Sequence, residues 1–163
     1  MTISNRALAV SLSLILIAVL SSTAIAQQKA KQVEFFRYGK GVAYNLVYDR
    51  LMSENEAYRN GIGRPPSHTI ATADLNNDKT PEIIVRIDDE YGGFCDEYYF
   101  CDTRIYVYQD TGLIEIAKFT GSSDIRILDT TTKDVKNFLV KRLDKKYDLY
   151  KWGGDRYQKV TTP

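Results

Sequence analysis

The sequence predicts an α+β domain, mainly β, with one N-terminal amphipathic helix packed on an antiparallel β-meander of about seven to eight strands. Three observations carry this reading. Apolar positions between Gly41 and Gly63 recur at helical spacing. From Thr69 onward, short β-branched and aromatic runs follow one another, and all 12 tyrosines lie after residue 26. The connections between those runs are also too short for parallel crossovers.

The chain opens with a basic start ending at Arg6, the apolar run "ALAVSLSLILIAVL", and "SSTAIA", where Ala24 and Ala26 are the small residues a signal peptidase reads. That order predicts a signal peptide over 1–26 and a single globular domain over 27–163 in a periplasmic or secreted protein. The rival is a retained anchor, because the apolar run approaches bilayer-spanning length. After cleavage, no later segment is long and apolar enough to span a membrane. Without Arg6 the basic residues balance the 21 acidic ones. Nucleic acid is not an expected partner, since tracking phosphates requires clustered excess Lys and Arg.

In the helix, Tyr44, Val47, Tyr48, Leu51, Met52 and Tyr58 form the apolar face, and Gly61 or Gly63 ends it. "RPPS" is the connector that follows. The candidate strands are then "TIATA", "EIIVRI", "RIYVYQ", "LIEIAKF", "DIRIL", "NFLVKRL", "YDLYKW" and "RYQKV". "NND", "DTG", "GSSD" and "GGD" punctuate them as turns.

Cys95 and Cys101 are the only cysteines, and in an exported chain such a pair forms a disulfide. Zinc would need four ligands, and His68 is the sole histidine.

The stretch "TADLNNDKTPEIIV" sets oxygen-bearing side chains at alternate positions, Asp74, Asn76 and Asp78, before a strand. Calcium takes six to eight hard oxygens. Asp74, Asn76 and Asp78 would supply side-chain oxygens, Thr80 a backbone carbonyl, and Glu82 a closing carboxylate. An EF-hand is rejected because its twelfth position is Val85 within a strand run. The segment resembles the calcium loop of FG-GAP and VCBS-type repeats, written "DLNGDGxPEIIV", and matches it without a gap at Asp74, Leu75, Asn76, Asp78, Pro81, Glu82 and "IIV". The resemblance implies a strand–loop–strand unit holding Ca2+ through Asp74, Asn76, Asp78, Thr80 and Glu82. It covers a single copy, so it implies a local loop and no propeller. Asn77 and Lys79 replace the family's glycines, and Lys79 adds a positive charge beside the ion. The alternative is a hairpin turn in which Asp and Asn bond to their own backbone, with no metal.

"DDEYGGFCDEYYFCD" gathers six carboxylates and five aromatics around the cysteines. A solvated loop covering a core edge is one reading. A contact surface is another, with Tyr91, Phe94, Asp96, Glu97, Tyr98 and Tyr99 presented to a basic protein partner. A third makes Asp88, Asp89 or Glu90 additional cation ligands.

Catalysis has little basis here, because one histidine and a paired set of cysteines leave no Ser-His-Asp or Cys-His arrangement. Trp152 and Tyr157 in "YKWGGDRY" either face a sugar or close a hairpin on the core. The expected function is an exported, non-enzymatic binding or structural protein stabilised by Ca2+. The alternatives are an inhibitor or immunity-type protein acting through 88–102, and a small carboxylate-based hydrolase.

Overall fold

Two faces of one strand organise the molecule. In Glu82–Ile87, Ile83, Val85 and Ile87 point one way, Glu82 and Ile84 point the other, and all five are buried. A strand buried on both faces must lie between two layers. The computed structural model, which describes residues 29–37, 42–89 and 92–160, supplies them. The expected signal peptide over 1–26 lies outside the described residues.

The strands are β1 (Ala30–Gln32), β2 (His68–Ala73), β3 (Glu82–Ile87), β4 (Cys101–Gln109), β5 (Gly112–Gly121), β6 (Ile125–Thr132), β7 (Val135–Lys141), β8 (Tyr147–Trp152) and β9 (Tyr157–Val160). Strands β2 to β5 form one antiparallel sheet in chain order. The other sheet, also antiparallel, runs β1-β6-β7-β8-β9.

Helix α1 (Val42–Glu54) covers the outer face of the β2–β5 sheet, burying Val47 and Leu51 with Ile70, Ile83, Val85, Ile87 and Tyr106. Arg104 is 8% exposed on that face, and its guanidinium pairs with Glu54 at the end of the helix. Asp102 at 3.6 Å adds a second negative charge. A charge this buried is tolerated because it is paired. The inner face meets the second sheet: Ala71, Ile84, Ile105 and Phe119 pack in one cluster with Ile125, Phe138, Val140 and Tyr150. Phe138 stacks on Tyr150 with ring centroids 4.9 Å apart and touches Phe119 at 5.6 Å. At the β4–β5 bulge Ile105 opposes Ala117 while Tyr106 opposes Glu115. The extra residue, Ile116, joins the inter-sheet cluster with Ala117.

The mainly β character agrees with expectation, while the details differ. Among the described residues, nine strands form two sheets where a single meander of about seven to eight was expected. The additional strand, β1, precedes the helix and is exposed throughout, so no buried alternation marks it. The helix stops at Glu54 instead of continuing to Gly61 or Gly63. Asn55 turns its amide back to the Leu51 carbonyl (2.7 Å), and a separate π-helical turn, Tyr58–Ile62, is closed by the left-handed Gly63. His68 begins β2, buried, with its ring stacked on Tyr44.

Candidate functional site

The loop between β2 and β3 is organised around its own polar side chains. The Asn76 side-chain carbonyl accepts the Asp78 backbone N–H at 3.0 Å, and one Asp78 oxygen accepts the Thr80 N–H at 2.6 Å. The Asn76 amide donates to the other Asp78 oxygen at 2.9 Å. Asp74 accepts the Lys79 N–H across the loop at 3.3 Å. These bonds coil the chain back on itself, and the coil needs left-handed backbone at two points, Asn77 (φ 61°) and Lys79 (φ 70°). They are the positions that carry glycine in the resembled motif. Asn accepts this conformation readily, whereas Lys takes it at a cost of about 1 kcal/mol.

Two anchors hold the coil between the sheets. Leu75, 1% exposed, plugs the inter-sheet core, and its N–H donates to the Glu82 carboxylate at 2.7 Å. Glu82 is 2% exposed, and burial pushes its carboxyl above the ordinary range against the lowering effect of the Leu75 hydrogen bond, with smaller upward contributions from Asp78 and Asp74. From the opposite sheet, the Lys136 N–H donates to the Leu75 carbonyl (2.7 Å) and its ammonium group to the Asp74 carbonyl (3.0 Å). Tyr157 donates its hydroxyl to the Lys136 carbonyl (2.8 Å). Leu75 and Lys136 are the participants that sequence reasoning missed as anchors. A lone apolar residue inside a polar loop was a signal for the first, and nothing local marks the second.

As a cation site the loop offers an unequal set of donors. Asp74 Oδ1 is buried without a hydrogen-bond partner, an arrangement that a cation would relieve. Asn76 and Asp78 carry side-chain oxygens within the same coil. Glu82 faces the interior and binds Leu75. Consistent with that, no group of three or more His, Cys, Asp or Glu side chains is gathered for a metal among the described residues. Asp74, Asn76 and Asp78 bring their side-chain oxygens into one coil, while Glu82 is buried against the Leu75 N–H.

The second candidate surface lies around the cysteines, which are bonded to each other. The six expected contact residues separate there. Tyr91 lies outside the described residues, as does Glu90. Phe94 is half-buried against Tyr58 and the helix-side core. Asp96 uses one carboxylate oxygen inside its own turn, accepting from the N–H groups of Tyr98 (2.9 Å) and Phe100 (2.8 Å). Glu97, Tyr98 and Tyr99 remain at the tip, the two rings 55% and 63% exposed. Arg86 supports the tip from beneath by donating to the Tyr99 carbonyl at 2.9 Å. Asp88 pairs with Arg37 at 3.5 Å, and one Asp89 oxygen accepts the Ser67 N–H at 3.1 Å.

Trp152 and Tyr157 sit edge to face across the β8–β9 hairpin, 5.3 Å apart. Tyr157 is buried, and Trp152 is partly open. No helix among the described residues is long and apolar enough to cross a membrane. Compared with family models, curated proteins and solved structures, the chain finds no match.

Proposed function

We propose that this is an exported, non-enzymatic binding and structural protein whose loop at 74–82 takes calcium. The observation that carries the reading is the unpartnered, buried Asp74 Oδ1 inside a coil already lined by the oxygens of Asn76 and Asp78. Thr80 adds its backbone carbonyl, and Glu82 contributes charge while holding Leu75 in place. The affinity belongs to the weak extracellular range, about 10⁻⁴ to 10⁻³ M, because Lys79 brings a positive charge to the coil. The Cys95–Cys101 bond agrees with an oxidising compartment.

Millimolar calcium is expected to raise the melting temperature. At ten times the dissociation constant the gain is about 1.4 kcal/mol, which corresponds to a few degrees. Asp74→Ala combined with Asp78→Ala should abolish the shift. Lys79→Gly should enlarge it by removing the positive charge beside the ion. The same variant should raise the melting temperature without calcium as well, because the left-handed strain is present in the ion-free coil. A melting curve indifferent to both calcium and chelator leaves the segment as a turn. Export has its own check: protein recovered from the envelope fraction should begin at Gln27 or a near neighbour by mass spectrometry, and intact chain in the cytoplasm would remove the compartment.

A second reading, an inhibitor or immunity-type protein, is favoured by one observation. Tyr98 and Tyr99 stand exposed on a turn fixed by a disulfide and by Asp96, so they lose little entropy on meeting a basic partner. Tyr98→Ala with Tyr99→Ala would then abolish inhibition of the cognate enzyme and leave the melting temperature unchanged.

A further inference from the structure

Beside the loop, where β4, β5 and the β8–β9 hairpin end, a cleft of about 350 Å³ opens between the two sheets. Its walls are apolar and include Val107, Ile114 and Trp152. Asn76, Gln109 and Asp155 stand among them, and the buried Glu82 is also part of the lining. Among the described residues, no Lys or Arg lines it. The nearby Lys133 ammonium donates to the Gly153 carbonyl at 3.0 Å.

We propose that this cleft binds a neutral saccharide of one or two rings. Its size falls at the low end of small-molecule sites, and its mixture of apolar wall and few convergent polar groups is what such sites share. The lining discriminates by charge. Two acidic residues line the cleft, and the neighbouring cations are already engaged, Arg156 with Asp155 at 3.7 Å and Lys133 with the Gly153 carbonyl. This disfavours phosphates, sulfates and carboxylates, because no lining Lys or Arg among the described residues compensates a buried anion. The exposed Gln109 amide, both donor and acceptor, matches hydroxyl groups, which also do both, and the Asn76 amide, held by Asp78, retains a second N–H and a second lone pair. An organic cation would find Asp155 already paired with Arg156 and Glu82 already bonded to the Leu75 N–H, and would leave the amides without matching partners. The indole and Ile114 offer an apolar surface to the C–H face of a sugar ring, as an amphipathic aromatic does at many interfaces.

The inference gives a ligand class to the binding role proposed above and rests on that role, although not on calcium. Trp152 is the only tryptophan of the chain, so its fluorescence reports on this cleft alone. Full mature protein is titrated with cellobiose and with N,N′-diacetylchitobiose, in calcium and again in chelator. A saturable change is expected with at least one of them, the sugar being recovered intact. Gln109→Ala should weaken binding several-fold, and Trp152→Leu, followed by calorimetry, should weaken it about tenfold. Gln109 is exposed, so its variant remains informative if Trp152→Leu fails to fold. No response to either sugar overturns the proposal, as does a response to butylammonium alone or binding unaltered in both variants. Hydrolysis of the sugar would refute the non-enzymatic reading. Loss of the calcium effect on melting with sugar binding retained would refute the calcium loop alone.

Discussion

Phe138→Ala is expected to destabilise the protein by about 3 to 5 kcal/mol, because a buried aromatic ring is lost and its site cannot collapse. Phe138 comes from β7, yet its neighbours come from both sheets: Phe119 on β5, Tyr150 on β8 and Tyr157 on β9. Those four rings span the inter-sheet layer, and paired aromatics contribute beyond the area they bury. Domains of this size retain about 5 to 15 kcal/mol in all, so the variant sits near its unfolding threshold. Urea unfolding followed by near-ultraviolet circular dichroism measures the loss, with Tyr98→Ala at the exposed tip as a control expected near zero. A loss below about 1 kcal/mol for Phe138→Ala would mean that the sheets do not share a core.

That shared core was the least legible part of the fold. The helix face could be read, because Val47 and Leu51 are one turn apart and both bury. Strand β3 could be read from its β-branched run. The division into two sheets could not, because the connection between β5 and β6, residues 122–124, is only one residue longer than the tight hairpin turns at 110–111 and 133–134. Pairing choice is a tertiary matter, and β1 finds β6 across most of the domain.

The site divides in the same way. The spacing of Asp74, Asn76 and Asp78 is local and visible, and Asn77 is a residue that tolerates left-handed backbone. Lys79 carries no such signal, and only the motif resemblance implied its conformation. The acidic aromatic stretch misleads for a physical reason. Outside a helix or strand no period says which way a side chain points, so Phe94, turned inward, looks the same as Tyr98, turned out.

Glu82 is where fold and site meet, and two substitutions separate its roles. Glu82→Ala should cost about 3 kcal/mol, combining the unsatisfied Leu75 N–H with a cavity beside the inter-sheet core. Glu82→Gln keeps an oxygen for Leu75 and removes the charge. Burial holds the carboxyl above its ordinary range in the folded chain, so the folded state keeps its proton to higher pH than the unfolded state does. The stabilising contribution of this group is therefore full below the unfolded value and falls as pH rises through the folded one. In chelator, the Gln variant should match or exceed the wild type at neutral pH and lose that segment of the pH dependence. In calcium the order reverses, because the ion favours a carboxylate over a neutral amide beside Asp74 and Asp78, so the variant gains less from it. Paired melts with and without calcium, at neutral pH and near pH 4.5, read both effects. Equal calcium shifts in wild type and Glu82→Gln would confine Glu82 to the anchoring of Leu75 and leave the ion to the coil itself.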